Sequence, residues 1–338
     1  MGQKTNLVLL PNGLGDAIQT LPVLQLFERL ENTQTLVIAG KQVNELFLDI
    51  FGIRATFFTR DEFTGGSLKR TRFDALLDFN GLNEPAFEKL PQYSFHQTVG
   101  HTLFRDKKIK KGASCIKVNG VKVDSRYFNA VGYSPKPAWT LYHEMTLKLF
   151  PQLLIQTDFK GFPYKWPQLA RQTKSSRSYG FIPCGSLMSK HWPISRFIEL
   201  ATILEDEGHK IHFYLGETES TYAEDISDKL IEPAIEINLN LQELAVRLQQ
   251  HKMVIANDCG PMHIAAAIGC PLIAIFRDTL PQCWFPYAKA NQKVIGGLFH
   301  TVYRGRNADT SWPEVARVKT LADSLTRTHS KGSRLRDL

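Results

Sequence analysis

Apolar residues along this chain fall into short runs that alternate with amphipathic segments. In the first part, strands are predicted at 5–10, 36–39, 55–58 and 73–79, and helices after the turn 11–16, at 42–51 and at 142–154. This alternation indicates a parallel sheet covered by helices on both faces. Between Tyr93 and Ser134 the pattern becomes irregular and basic, which favours an insertion rather than core.

The same alternation restarts after a polar, proline-containing stretch. Strands are predicted at 177–183, 210–215, 234–237, 253–256 and from Pro271, and helices at 194–207, 220–231, 241–251 and from Gly260. Gly208 is expected to end one helix. The pattern predicts two Rossmann-like α/β domains, 1–162 and 177–316, joined by a linker at 163–176. A basic helix or tail follows at 317–338, with disorder expected from about Ser324.

Length and composition narrow the classes of protein. With 338 residues, of which 43% are hydrophobic, the chain can bury two cores. No uninterrupted apolar run approaches the roughly 18 residues of a membrane span. The first residues lack the pattern of a secretory signal, so we expect a chain that is not exported. The five cysteines contain no CxxC pair, which favours a reducing compartment without disulfides or a zinc cluster.

The net charge of +8 is concentrated in clusters. Basic residues group at Lys69, Arg70 and Arg72, at Lys107, Lys108, Lys110 and Lys111, and at Lys331, Arg334 and Arg336. Such clusters attract nucleic acid, anionic lipid or an acidic glycan, although each one could be an ordinary solvated surface. No nucleic-acid recognition module is evident, which disfavours nucleic acid as a partner.

The segment 255–276, IANDCGPMHIAAAIGCPLIAIF, carries the clearest candidate site. A buried strand leads through Asp258 into a helix that opens with Gly260 and Pro261. The unpaired N–H groups of a helix's first turn suit a phosphate. Asp258 and His263 flank that turn with polar groups able to hold a sugar or ribose. An ordinary βαβ unit, with His263 a core histidine bonded to a carbonyl, is the alternative interpretation.

Two further segments offer candidate residues. Ligands of doubly wound sheets bind beyond the carboxyl ends of the strands, so a cleft is predicted between Asn12–Asp16 on one side and Ser186–Lys190 and Asp258–His263 on the other. Asp16 could present a carboxylate to this cleft, or could cap the helix that begins there. Lys190 could hold an anion or be a surface lysine. No GxGxxG follows Leu10, which disfavours a dehydrogenase.

Three segments, in this order, resemble glycosyltransferase family 9. They read LLPNGLGDAIQTLPVLQLF, CGSLMSKHWPISRF and NDCGPMHIAAAIGCPLIAIF, and the similarity spans most of residues 5–280. This family comprises the bacterial heptosyltransferases of the lipopolysaccharide inner core. The resemblance implies the GT-B arrangement, in which two Rossmann-like domains face each other across a cleft. Domain 1–162 would then bind the acceptor and domain 177–316 the nucleotide-sugar donor.

The resemblance also implies an activity and roles for individual residues. The family transfers heptose from ADP-heptose with inversion, without a metal or other cofactor, at the cytoplasmic face of the inner membrane. Asp16 matches the catalytic aspartate and Lys190 the lysine on the donor diphosphate. The remaining matches on the donor side are Ser186, Asp258, Cys259, Gly260, His263 and, on the ribose, Glu219, with Glu217 an open alternative. Acceptor binding is predicted for Asn12, Gly13, Lys69, Arg70, Arg72, Lys107 and Lys108.

The chain departs from the family pattern at several positions. Gly185 and Ser186 replace two threonines, Cys259 replaces a hydroxyl residue, and Arg277-Asp278-Thr279 replaces a Gly-Pro-Thr turn. Residues 83–135 match no part of the pattern, which leaves the acceptor open. A nucleotide-sugar epimerase, a heptosyltransferase acting on a protein, and a non-catalytic nucleotide-sugar binder are the alternative functions.

Overall fold

The structure, a computed structural model, divides into two compact units, Met1–Lys165 and Trp166–Leu338. It describes residues 3–68, 71–79, 95–100, 117–118, 121–122, 137–154, 177–185, 187–277, 279, 281–284, 292–296 and 312–333. Within these residues no helix combines the length and apolar character needed to cross a membrane. The predicted linker 163–176 lies outside them, and the predicted domain boundaries stay predictions.

The first unit is built on a parallel five-stranded sheet. Its strands are β1 (Lys4–Leu9), β2 (Thr33–Ala39), β3 (Thr56–Thr59), β4 (Phe73–Asp78) and β5 (Phe95–Gly100), and a hairpin pairs β6 (Lys117–Val118) with β7 (Val121–Lys122). Its helices are α1 (Leu14–Ile18), α2 (Leu21–Phe27), α3 (Lys41–Glu45, continued by a π-helix at Leu46–Ile50), α4 (Arg60–Thr64) and α5 (Ala138–Leu149, followed by a 3₁₀ turn at Pro151–Leu153).

The strand order of this sheet is β3-β2-β1-β4-β5. The chain leaves β1 for β2 on one side and later crosses to β4 on the other, so the sheet reverses its direction of winding beside β1. The apolar run of β1 is buried on both faces, as expected for a central parallel strand. The turn that follows β1 therefore opens at the point where doubly wound folds bind ligands.

The second unit contains a six-stranded parallel sheet. Its strands are β8 (Ser178–Ile182), β9 (Lys210–Leu215), β10 (Ala234–Ile237), β11 (Met253–Asn257), β12 (Leu272–Phe276) and β13 (Gln292–Gly296). Its helices are α6 (Ile194–Asp206), α7 (Tyr222–Lys229), α8 (Leu241–Leu248), α9 (Gly260–Ala267), α10 (Pro281–Trp284) and α11 (Val315–Ser333), with 3₁₀ turns at Met188–Lys190 and Thr218–Thr221.

The order β10-β9-β8-β11-β12-β13 places the reversal between β8 and β11. Their parallel register pairs Ala256 with Ile182, so the residues that follow the two strands emerge side by side. Gly208 has φ +82° and lies just beyond α6, which confirms its predicted place at a helix end. Such a conformation is accessible to glycine at little steric cost.

Two expectations from the sequence are wrong. The stretch 93–134 was expected to be irregular, yet it contains β5 and the β6–β7 hairpin. The tail was expected to be disordered from about Ser324, yet α11 continues to Ser333. The helix is stabilised by an apolar stripe at helical spacing. The residues of this stripe, Val315, Val318, Ala322 and Leu325, are buried in the core of the second unit. Charged residues between them hid this stripe from the sequence pattern.

Candidate active site

The amino end of α9 lies at the reversal point of the second sheet. The polypeptide leaves β11 through Asp258, and Cys259 occupies the N-cap position in an extended conformation without a side-chain capping hydrogen bond. Gly260 and Pro261 form the first two helical positions, and the first turn carries no acidic residue. Helix N–H groups and the positive end of the helix dipole therefore lie next to a buried carboxylate.

Asp258 and Lys190 form a buried ion pair at this helix end. Lys190 Nζ lies 2.9 Å from Asp258 Oδ2, and the two side chains are 18% and 5% exposed. The Thr279 hydroxyl donates a further hydrogen bond to the same carboxylate oxygen. The structure thus brings together two residues that are far apart in the sequence, and it pairs the ammonium group of Lys190 with a carboxylate.

His263 lies in the first turns of α9 and is only 3% exposed. Burial lowers its pKa to about 4, and Lys190 acts in the same direction while Asp258 opposes it. The imidazole is therefore neutral near pH 7. Its Nδ1 makes no hydrogen bond with any residue the structure describes, so the carbonyl bond expected of a core histidine is not seen at this nitrogen.

A pocket of about 190 Å³ adjoins the same helix end. It lies at the carboxyl ends of β8, β9 and β10, and Pro261 of α9 forms part of its wall. Apolar side chains such as Ile182 and Leu244 line it, together with the polar residues Glu236 and Asn238. An apolar pocket with a few polar atoms suits a planar ring system with polar edges.

The structure distinguishes between the two candidate glutamates. Glu219 is buried in the 3₁₀ turn after β9, whereas Glu217 is exposed. A Cβ on Gly216, which lines the pocket, would lie 2.7 Å from Glu219 Oε2. The carboxylate of Glu219 therefore lies against Gly216 in the pocket wall, and a larger residue at 216 would make it move.

The two cysteines of the site are neutral thiols. Burial raises the pKa of Cys184 to about 12, with Glu219 adding to the effect, and burial also raises the pKa of Cys259. Cys184 Sγ donates to the carbonyl of Tyr214 at 3.2 Å. A nucleophilic role needs a thiolate, so neither cysteine is suited to act as a nucleophile.

In the first unit, the turn after β1 presents Asp16. The N-cap of α1 is Gly13, and Asp16 is the third residue of the helix, so the alternative interpretation of Asp16 as the capping residue is wrong. A Cβ on Gly13 would lie 2.7 Å from Asp16 Oδ2, which places this half-buried carboxylate directly beside Gly13. Asn12 and Gly13 are exposed.

Of the basic residues predicted to bind the acceptor, the structure describes only Arg72. Arg72 is exposed just before β4. Ser186, Lys69, Arg70, Lys107 and Lys108 lie outside the described residues, and their predicted roles stay predictions. In the part of the chain that the structure covers, no group of three or more His, Cys, Asp or Glu side chains is placed to hold a metal ion.

Sequence reasoning missed three residues that shape this site. Asn257 contacts both ends of the segment that carries Lys190. Within that segment, His191 contacts the carbonyl of Gly185. Thr279 donates a hydrogen bond to Asp258. Asn257 could have been noticed as a polar residue at the end of an apolar strand. The Thr279 contact depends on how β11 and β12 are aligned, which the sequence pattern does not specify.

Comparisons with known proteins place the chain among bacterial sugar transferases. It is 34% identical to lipooligosaccharide heptosyltransferase 2 of Haemophilus influenzae, over 30% of this chain and 32% of that protein. It is 27% identical to lipopolysaccharide heptosyltransferase 2 of Escherichia coli K12, over 56% of this chain and 62% of that protein. The chain therefore spans less than two thirds of the length of these two relatives.

A solved structure and a family profile extend this similarity. The E. coli heptosyltransferase WaaC with ADP superposes with a TM-score of 0.65 at 18% identity, covering 95% of this chain and 99% of that one. This likeness confirms the predicted fold of two Rossmann-like domains of the GT-B class. The profile described as glycosyltransferase family 9 (heptosyltransferase) matches residues 109–306, more than half of the chain. The match confirms the resemblance seen in the motifs: this chain belongs to glycosyltransferase family 9, the heptosyltransferase family of glycosyltransferases.

Proposed function

We propose that this protein transfers heptose from ADP-heptose to an anionic acceptor of the lipopolysaccharide inner core, by an inverting reaction that needs no metal ion. The observation that carries the proposal is the Lys190–Asp258 ion pair at the amino end of α9, beside the neutral imidazole of His263. The names of the relatives support heptose and lipopolysaccharide, and the WaaC structure with ADP supports an adenine nucleotide.

The second unit offers separate places for the parts of such a donor. The pocket at the ends of β8, β9 and β10 suits the nucleobase, and Glu219 can accept hydrogen bonds from ribose hydroxyls. Pro261 belongs both to this pocket and to the first turn of α9, so a nucleoside in the pocket brings its diphosphate to the helix N–H groups. His263, being neutral, adds a hydrogen-bond donor without a second cation.

The proposed reaction is a single displacement. The acceptor oxygen bonds to the anomeric carbon as the bond from that carbon to the phosphate oxygen breaks, which inverts the configuration. Asp16 takes the proton of the acceptor hydroxyl, a role in which a positioned base contributes about 10² to 10⁴ in rate. Lys190 and the amino end of α9 stabilise the negative charge that develops on the departing ADP.

The acceptor side of the proposal rests on charge. An inner-core acceptor carries carboxylates and phosphates on a lipid anchor, and the clusters around Arg72 and Lys107 belong to the first unit. We assign acceptor binding to these clusters, and we place the protein in the cytoplasm, in peripheral contact with the anionic inner face of the inner membrane.

Product analysis tests the proposal. ADP-heptose is incubated with a panel of truncated core acceptors, and products are identified by mass spectrometry with and without EDTA. We expect a heptose added to one acceptor, with unchanged yield in EDTA. Free sugar and nucleotide formed without an acceptor would indicate an epimerase instead. A modified protein would indicate a protein acceptor, and no product with retained donor binding would indicate a non-catalytic binder.

Asp16→Asn tests the assigned base. The variant should retain its affinity for ADP while its turnover falls by about 10² to 10⁴, the usual contribution of a positioned base. Asp61→Asn is the matched control, because Asp61 also lies in the first turn of a helix of this unit, is exposed, and has no assigned role. Unchanged turnover in Asp16→Asn would remove Asp16 from the mechanism.

A further inference from the structure

Asn257 is a fully buried amide, 0% exposed, at the last position of β11. Its Nδ2 donates to the carbonyl of Pro183 at 2.8 Å, and its Oδ1 accepts from the backbone N–H of Trp192 at 3.0 Å. Pro183 and Trp192 are the two ends of the segment 183–192, here called the donor loop. One side chain therefore ties both ends of this loop to the end of β11.

The chemistry of both contacts matches an amide. Pro183 offers a carbonyl, which only accepts, and Trp192 offers an N–H, which only donates. An amide provides one donor and one acceptor side by side, whereas a carboxylate provides acceptors alone and an alkyl side chain provides neither. Because the site is fully buried, an unmatched carbonyl or N–H would remain without a hydrogen bond there.

Other contacts hold the described residues of the donor loop near these anchors. His191 Nε2 lies 2.7 Å from the carbonyl oxygen of Gly185, which closes the loop across its width. The Trp192 ring is buried, and its Nε1 donates to the carbonyl of Pro313 at 3.0 Å. Lys190 lies two residues before the N–H that Asn257 holds, and its ammonium reaches Asp258, the residue that follows Asn257. The position of the ammonium thus depends on the backbone that Asn257 fixes.

We propose that Asn257 is a positioning residue that sets the location of the Lys190 ammonium through the backbone of the donor loop. The inference rests on the proposed function for what Lys190 does, namely to hold the donor diphosphate. It adds a residue that touches neither donor nor acceptor and acts on them through Lys190.

A double-mutant cycle on ADP binding tests this pathway. Calorimetry measures the ADP dissociation constant for the wild type, Asn257→Ala, Lys190→Ala and the double variant. A loss of about tenfold in ADP affinity is expected for Asn257→Ala, because a displaced ammonium loses part of what a hydrogen bond to a charged group contributes, and this loss should not exceed that of Lys190→Ala. If Asn257 acts through Lys190, its effect disappears in the Lys190→Ala background. Equal losses in both backgrounds would overturn the proposal.

A second measurement does not depend on donor binding. Acetic anhydride labels lysines, and peptide mass spectrometry gives the rate at Lys190 relative to exposed Lys41. In the wild type the buried ion pair slows labelling of Lys190, and we expect Asn257→Ala to raise that rate several-fold. Asn257→Ser provides a milder variant if Asn257→Ala fails to fold. An unchanged labelling rate in a folded variant would overturn the proposal.

Gln292→Ala is the matched control for both measurements. Gln292 is another buried amide of the same unit, and its Nε2 donates to the carbonyls of Ala266 and Cys270. Its loss should lower stability without changing ADP affinity or Lys190 labelling. If wild-type protein fails to bind ADP, the proposed donor is wrong, and the labelling result alone then decides the role of Asn257.

Discussion

Gly13 has no side chain, and this leaves room for the carboxylate of Asp16, the proposed base. Its φ and ψ of −66° and 128° are open to any residue, so a larger side chain would not strain the backbone. A methyl group there would nevertheless lie 2.7 Å from Asp16 Oδ2. Since the carboxylate is the movable end of a side chain, it would turn away while the fold stays intact.

Gly13→Ala should therefore lower turnover while leaving stability nearly unchanged. We expect a loss of about 10²-fold in kcat, the scale of a roughly 1 Å misplacement, with a midpoint of thermal unfolding close to that of the wild type. Steady-state kinetics and a thermal melt measure the two quantities.

Gly40→Ala is the control for this substitution. Gly40 is also an N-cap directly after a strand of the same sheet, with φ −71°, and a Cβ there would meet nothing nearer than Arg60 Nη1 at 3.9 Å. It should keep full turnover. Equal effects of the two substitutions would show that the contact with Asp16 has no special importance.

At the level of single residues, the sequence predicted the types of group in the site better than their partners. Asp258, Gly260 and His263 were recognisable because they crowd one strand-to-helix turn. The pairing of Lys190 with Asp258 and the contacts of Asn257 were not, because they depend on β8 and β11 being neighbours. Alignment of non-consecutive strands is a property of the whole sheet, and a local pattern does not report it.

At the level of elements, two of the strands that the pattern missed share a position. Both β5 and β13 lie at the end of the strand order in their described sheets. Central parallel strands are covered on both faces and read as unbroken apolar runs, whereas an outer strand can alternate with polar residues. The sequences FHQTVG and QKVIG show such interruptions, so they did not stand out from the surrounding chain.

A buried cluster of the second sheet surrounds His251. His251, just before β11, hydrogen-bonds the hydroxyl of Tyr214 at 2.6 Å and lies 3.1 Å from Ser178 Oγ. The ring of His212 lies 4.9 Å away, centroid to centroid. Burial lowers the pKa of His251 to about 3, with His212 adding to the effect, so this imidazole is neutral in the folded protein.

This cluster should make stability depend on pH. The unfolded chain binds a proton at His251 below about pH 6.5, the ordinary histidine value, whereas the folded protein does so only near the lowered pKa. Falling pH therefore favours unfolding across this window, by about 1.4 kcal/mol per pH unit for one proton. His251→Gln keeps hydrogen-bonding groups but cannot titrate, so its stability should fall less steeply below pH 6.

Urea unfolding between pH 7 and pH 4.5, followed by tryptophan fluorescence, measures this difference in slope. Carboxylates and His263 act equally in both proteins and cancel in the comparison, and His212, which contacts His251, is replaced by glutamine in both. Parallel curves for the two proteins would show that His251 does not remain neutral in the folded state.

At the level of the whole molecule, each unit has its own sheet and its own reversal point, beside β1 in one and between β8 and β11 in the other. The repeated alternation of apolar strands and helices made this organisation predictable, because each sheet needs a continuous core. The positive net charge of the chain acts separately from the fold. It does not specify the fold, but it influences which partners approach.

The four lysines 107, 108, 110 and 111 provide a test of that influence. They lie outside the described residues, so the prediction rests on the sequence. Changing all four to glutamine should raise the KM for an anionic acceptor and weaken its dependence on salt, because screening acts over about 8 Å at 0.15 M. Initial rates across a salt series measure both effects.

The third basic cluster supplies the comparison. Glutamine at Lys331, Arg334 and Arg336 removes similar charge from the C-terminal segment, which has no proposed contact with the acceptor. Its kinetics should match those of the wild type. Identical salt dependence in both variants would mean that total charge, rather than its location, governs association.

Asn257 and Asp258 are neighbours in the sequence and contact different partners. This arrangement restricts where residues can be inserted or deleted in the second unit. Adjacent side chains along a strand leave it in opposite directions, and moving the strand by one residue reverses every direction. If loss or gain of a single residue in the connection between α8 and β11 shifted β11 by one position, neither the amide nor the carboxylate would face its partners. The loop anchor and the lysine partner would then fail together, so we expect evolution to accept insertions and deletions elsewhere in this unit before it accepts one there.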